Sequence, residues 1–322
     1  MNLQLNEEQR AFQAMARQVS AALTVEFDRQ VLVDTGLMGL RLPEQVGGSG
    51  ATAIEGVLFA EELGRALVPG HVLASALITP AALKLVGLKN EGVATELVSG
   101  RPVTVAVTDE LSWPPKGSGL AWGWHPDSIV LVPQGTNLAP FEGVPTETII
   151  SADLGLEMAR VPCGDSDLLP TVTGQWFLAE ANVVLAGVLL GHMEAALDLA
   201  VAYAGEREQF GVTIGSFQAV KHLCADMYVD VESSRSIAYG GAAMLHESTD
   251  VVQAGRTAAM AKAWCGDAAI RVIESAIQIH GGLGFTWEIP LHHYLRAAHV
   301  ARASFMPVTV ALEFVAGTAP WS

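Results

Sequence analysis

The sequence predicts a mainly α-helical chain with a small β unit at its centre. In the N-terminal and C-terminal stretches apolar residues recur every three or four positions, the repeat of one helix face. Between them lie short β-branched runs bounded by proline and glycine, the pattern of strands. Half of the 322 residues are hydrophobic and 16% are charged, which suits a large interior or wide burial between subunits. The expected organisation is a helical unit over residues 1–101, a reduced β unit over 102–174 and a helical bundle over 175–322.

Asn6 can cap a first helix, and Glu7 and Glu8 favour its positive end. Phe12, Met15 and Val19 follow at helical spacing. Residues 36–50 hold Pro43 and several glycines and read as a loop. This loop lacks a preceding strand and a following Lys-Ser/Thr, so it is a weak phosphate cradle. Ala53 to Leu67 is a second helix, ended by Pro69-Gly70. Leu73 to Val86 is helical in part, with Pro80 interrupting it.

Candidate strands are Val103–Thr108, Ser128–Val132 and Glu147–Ile150. From Gln175 to Gly317 the chain reads as four or five long helices, joined at 205–215, 246–250 and 281–289. Four antiparallel helices there make a bundle. Thr318 to Ser322 reads as a loose tail.

The net charge of −16 argues against nucleic acid and against an electrostatic membrane anchor. Met1 to Arg17 is polar and amphipathic, unlike a signal peptide. The best membrane candidate, Val183–Leu190, is too short to span. Cys163, Cys224 and Cys265 form an odd, scattered set and read as buried thiols of a reducing cytoplasm. The nine histidines form no metal-spaced cluster with cysteine, and His292 and His293 read as structural or interfacial.

The most informative stretch runs from Tyr203 to Gln218. It is the end of one helix, a tight connection made by Gly211 and Gly215, and the start of another. Arg207, Phe210 and Gln218 gather at this corner. A planar cation, an aromatic ring and an amide suit an anionic, planar ligand such as a dinucleotide. The other reading is a plain helix–loop–helix corner whose arginine pairs with a neighbouring glutamate.

Three separated motifs carry a resemblance. Arg207-Glu-Gln-Phe-Gly211 followed by Gln218, Gln278-Ile-His-Gly-Gly-Leu-Gly-Phe-Thr286, and Gly36–Gly50 with Ala60–Arg65 resemble, in order, motifs of the acyl-CoA dehydrogenase family. The resemblance implies an N-terminal helical domain, a β-barrel-like middle domain, here reduced, and a C-terminal four-helix bundle. It also implies FAD, gripped at its adenosine and diphosphate end across a subunit interface. The residues carried over are Arg207, Phe210, Gln218, Gln278, Gly281 and Gly282.

The middle of the chain departs from the family. Val107–Lys116 keeps only a trace of the family's Thr-Glu-Pro loop, and no Trp-Ile-Thr strand occurs. The chain is thus expected not to hold a flavin ring in its own β unit. No catalytic base is assigned. One family position falls on Phe305 and the alternative on Ala181; Glu180, one residue away, is the remaining candidate. Its other reading is a first-turn acid near a helix N-terminus.

This pattern resembles the short, degenerate subunit of α2β2 dehydrogenases acting on steroid-derived CoA thioesters. That resemblance implies a homologous catalytic subunit as partner, an acyl-CoA held mainly by that partner, and an electron-transfer flavoprotein or similar acceptor. Two alternatives stand beside it: a self-sufficient homo-oligomeric dehydrogenase with Glu180 as base, and a scaffold without redox chemistry on the same fold.

Overall fold

The computed structural model describes residues 4–25, 28–85, 91–141, 143–165 and 172–317. The expected tail at 318–322 lies outside them. Helix α1 (Glu7–Val25) opens with a reciprocal cap: Asn6 Oδ1 accepts from Gln9 N at 2.8 Å and Gln9 Oε1 accepts from Asn6 N at 3.1 Å. After the short α2 (Gln30–Asp34), the glycine-rich stretch folds as turns with a single 3-10 turn at Glu44–Val46. Helix α3 (Ala53–Arg65) starts at a Thr52–Glu55 capping box.

Pro80 does not interrupt the next helix. Gly70–Leu73 (α4), a π turn at Ala74–Ile78 and Thr79–Leu85 (α5) follow one another without a break. Proline has no N–H to give, and the wider π turn just ahead of it takes up the missing rung. The same segment fixes the first strand. Ser75 Oγ accepts from Val103 N at 3.0 Å, and Thr79 Oγ1 donates to Val103 O at 2.8 Å. Helix α6 (Glu91–Val98) completes the N-terminal helices.

The sheet is larger than the three expected strands. Beside β1 (Val103–Val107), β3 (Ile129–Gln134) and β5 (Glu147–Ile150) stand β2 (Ser118–Trp122), β4 (Asn137–Pro140) and β6 (Glu157–Pro162). Their order is β4-β3-β1-β2-β6-β5, with β1 and β3 parallel and the other pairs antiparallel. The three unexpected strands carry glycine, alanine or proline, which have little β preference of their own. Pairing with their neighbours makes them strands.

The C-terminal part is helical: α7 (Val172–Glu206), α8 (Gln218–Glu247), α9 (Val251–His280), α10 (Leu291–Ala303) and α11 (Val308–Gly317). The joints fall where glycine and turn residues place them. α7 is the central helix, apolar on all sides and packed against α3, α8 and α9. Its apolar stretch reaches well beyond Val183–Leu190. Among the described residues it is the one helix long and apolar enough to cross a membrane, and 78% of its most apolar window is buried inside the fold.

Two glycines set the crossing of α3 and α7. A Cβ on Gly191 would lie 1.9 Å from Glu61 O, and one on Gly64 would lie 2.3 Å from Val188 O. No side chain fits, so the two backbones touch. Around this crossing runs a charge network. Glu61, with no exposure, accepts from Arg235 and from Tyr239 Oη, the latter at 2.6 Å. Arg235 also holds Glu194, Arg65 meets Glu194 at 3.0 Å, and Arg17 meets Glu62 at 2.9 Å. Burial is the main reason that Glu61 is pushed up to about 7, with Glu194 adding to it and Arg235 opposing.

Cys265 is buried, whereas Cys163 and Cys224 are only half-buried. All three are free thiols. Cys224 lies on α8, a helix with one face in the core and the other in solvent, so the expectation of buried thiols holds for Cys265 alone.

Candidate functional site

α7 ends at Glu206, and Arg207 N still donates to Tyr203 O at 2.9 Å. The chain then turns back in a two-rung hairpin, β7 (Glu208–Gln209) against β8 (Val212–Thr213). Its two turn residues, Phe210 and Gly211, both have positive φ, 58° and 79°. Such a turn matches the twist of the flanking strands, and glycine meets its demand at one of the two places. The turn projects the Phe210 ring outward, 93% exposed, with Phe217 edge-on at 6.3 Å. Gln218 is the first residue of α8 and is exposed. Arg207 is exposed too and makes no ion pair among the described residues, although Glu206 and Glu208 flank it.

The second motif closes α9. Gln278 is exposed in its last turn, and Gly281 leaves the helix at φ 59°. Open space surrounds both Gly281 and Gly282: a Cβ at either would meet nothing within 4 Å. A 3-10 turn, Gly281–Phe285, follows, and its end carries Phe285 at 80% exposure.

The two motifs meet through Tyr203 and His280. Their rings stack at 4.4 Å and 18°. Tyr203 is in the last turn of α7 and His280 is the last residue of α9. This contact holds the Arg207 corner and the Gln278 loop at one end of the bundle. A guanidinium, two amides, an exposed ring and freely approachable glycine amides thereby lie at the same end of the bundle. That donor set fits the diphosphate and flat base of a dinucleotide, so the residues present suit one half of FAD.

The other expected positions are closed. Phe305, at one family position for the base, is 2% exposed. Its ring packs against Trp122 at 5.5 Å and Phe177 at 6.0 Å, and Phe177 meets Trp113 at 4.6 Å. Its N–H donates to Leu111 O, and Trp122 Nε1 donates to Ser304 Oγ at 3.1 Å. The weak relic at 107–116 is therefore bonded directly to the segment at 304–306. From behind, the fully buried Lys262 donates to three carbonyls, Arg302 O at 3.2 Å, Ser304 O at 3.0 Å and Met306 O at 3.2 Å. Burial pushes its ammonium down to about 7. Ala181, the alternative position, is fully buried.

Glu180 is engaged elsewhere. Its carboxylate accepts from Arg41 Nη2 at 2.9 Å, and Lys84 Nζ lies at 4.0 Å. Burial pushes Lys84 down to about 8, against the pull of Glu180. A carboxylate held by two cations serves as a counter-ion. Sequence reasoning missed Tyr203, His280 and Lys262. Lys262 had a readable signal: it is the one charge in the run Thr257–Cys265.

Two family descriptions match, acyl-CoA dehydrogenase, N-terminal domain, over residues 6–87, and acyl-CoA dehydrogenase, C-terminal domain, over residues 173–304. The chain belongs to the acyl-CoA dehydrogenase family. It is 32% identical over 273 residues to the acyl-CoA dehydrogenase IpdE2 of Mycolicibacterium smegmatis, covering 84% of this chain and 80% of that one. It is 35% identical over 280 residues to the acyl-CoA dehydrogenase FadE34 of Mycobacterium tuberculosis, but the match, 83% of this chain, spans only 38% of that protein. Among solved structures, the ChsE4–ChsE5 complex of Mycobacterium tuberculosis superposes with a TM-score of 0.84 at 25% identity, covering 98% of each chain. A variant of the steroid acyl-CoA dehydrogenase Tcur3481–Tcur3483 superposes at a TM-score of 0.79 and 23% identity, covering 97% of each chain, which speaks to the fold.

Proposed function

We propose that this chain is the flavin-sharing, non-catalytic subunit of a heteromeric acyl-CoA dehydrogenase. The observation that carries the reading is a contrast within one molecule. The residues suited to a diphosphate are exposed and grouped, while the positions where the family keeps its base are an aromatic plug and an alanine. Arg207 neutralises the diphosphate, Gln218 and Gln278 hydrogen-bond it or the adenosine, and Gly281 and Gly282 offer backbone amides. Phe210 lies against a flat face. When bound, FAD supplies the hydride acceptor for α,β-dehydrogenation of an acyl-CoA.

The partner, a homologous subunit, supplies the base and the flavin-ring site and holds most of the acyl-CoA. The steroid side chain as acyl group rests on likeness to heteromeric steroid acyl-CoA dehydrogenases. The exposed position of all six grip residues favours a site completed from outside the chain. The pairing of Glu180 with Arg41 and Lys84 speaks against a self-sufficient enzyme that uses it as base.

The test is the visible absorption spectrum of this chain expressed alone and together with a homologous partner subunit. Colourless protein alone and a yellow complex are expected. One flavin per chain in the protein alone would overturn the reading. A colourless complex would leave a scaffold.

A further inference from the structure

The described lysines differ in how their charge is met. Lys262 is answered by three carbonyls. Lys116 and Lys221 are exposed, so water meets both. Lys84, in the last turn of α5, has neither answer. Its side chain is only 33% exposed, and its Nζ makes no hydrogen bond among the described residues. The carboxylate oxygen that pairs with it, Glu180 Oε2, is 4.0 Å away. Arg41 Nη2 already holds that same oxygen at 2.9 Å. Two cations thus compete for one atom, and Lys84 has the longer and weaker hold.

This position favours the free amine over the ammonium. Burial takes water from the charge, and the buried Arg41 repels it; Glu180 pulls the other way. These are the charged groups that face Lys84, Arg41 from the loop at 36–50 and Glu180 from α7. The outcome, led by burial, is an amine at about 8 in place of 10.5. A lysine desolvated beside another cation is a nucleophile near neutral pH. A third of the side chain stays in solvent, so an electrophile can reach it.

We infer that Lys84 is an acylation site, whose amine takes acyl groups directly from acyl-CoA thioesters. The free amine attacks the thioester carbonyl carbon. A C–N bond forms, the C–S bond breaks, and the proton released by the nitrogen leaves with the thiolate as CoA thiol. The product is a neutral amide, and nothing is oxidised or reduced. Acylation takes one of its two cations from Glu180 and leaves it to Arg41 alone. The site is independent of the flavin reading, because none of the grip residues takes part.

The test is incubation of the full chain with acetyl-CoA as the only reagent at pH 8, followed by peptide mass spectrometry. Lys84 should be acetylated about tenfold faster than Lys116 and Lys221, its larger share of free amine outweighing its lower basicity. Its rate should level off above about pH 8, while the rates at Lys116 and Lys221 keep rising. The two neighbours should act with opposite sign at pH 7. Arg41→Gln removes the repelling cation and should slow acetylation of Lys84 several-fold. Glu180→Gln removes the attracting anion and should speed it. Thermal melts followed by circular dichroism establish that each variant is folded. A rate at Lys84 no faster than at Lys116 and Lys221 would overturn the site. So would a rate that neither substitution moves in folded chains. In either case a complex that remains yellow would leave the flavin reading standing.

Discussion

Tyr203 and His280 stack ring on ring at 4.4 Å, and by doing so they join two motifs that lie far apart in the chain. Four residues after Tyr203 comes Arg207; two residues before His280 comes Gln278. The proposed diphosphate grip draws on both motifs, which this contact between two helix ends joins.

Arg207→Ala should therefore cost the proposed complex FAD affinity. One charge-assisted contact is worth about 1–3 kcal/mol, roughly a 5- to 150-fold rise in Kd. Flavin release by the complex on dilution or gel filtration measures it. Retention equal to the native complex would remove Arg207 from the site.

Glu180→Gln should leave the dehydrogenation rate of the complex within about twofold of native, since the carboxylate is a counter-ion to Arg41 and Lys84. A general base contributes about 10²–10⁴-fold. A loss of that size in steady-state turnover would restore Glu180 as the base.

Phe305→Ala should destabilise the chain by about 3–5 kcal/mol, the usual cost of emptying a buried phenylalanine site. Urea unfolding reads the change. A cost under about 1 kcal/mol would mean that Trp122 and Phe177 collapse into the space, and that the plug is not rigid.

Arg235→Met leaves Glu61 buried without its cation, which should cost about 3 kcal/mol or more at pH 8. The pH dependence has a defined sign. Glu61 is raised to about 7 in the folded chain, above its unfolded value, so the folded state binds the extra proton. That contribution is full below the unfolded value and is lost as pH rises through about 7. The deficit of Arg235→Met relative to native should shrink between pH 8 and pH 6. Denaturant titrations at the two values check it, and a deficit that grows on acidification would contradict the assignment.

The helices, their joints and the corner at 203–218 were legible because each is written locally, in apolar spacing, caps and turn glycines. Asn6 and Gln9 cap as their types dictate, and Gly281 ends α9. Strands β2, β4 and β6 were not legible, because glycine, alanine and proline become strand only when a neighbour offers its edge. Pro80 misled for a related reason: a π turn repaired the helix that local preference would have stopped.

The sequence by itself determined the family, the mostly helical build and the chemical types available at the two motifs. Only the tertiary structure decided what those types touch. It set Arg207 free of its glutamate neighbours, gave Glu180 two cations, and sealed Phe305 between Trp122 and Phe177. Spacing along a chain fixes which face of an element a side chain takes. What meets that face depends on how distant elements pack, and at the α3–α7 crossing that rested on two glycines with no room for a single carbon more.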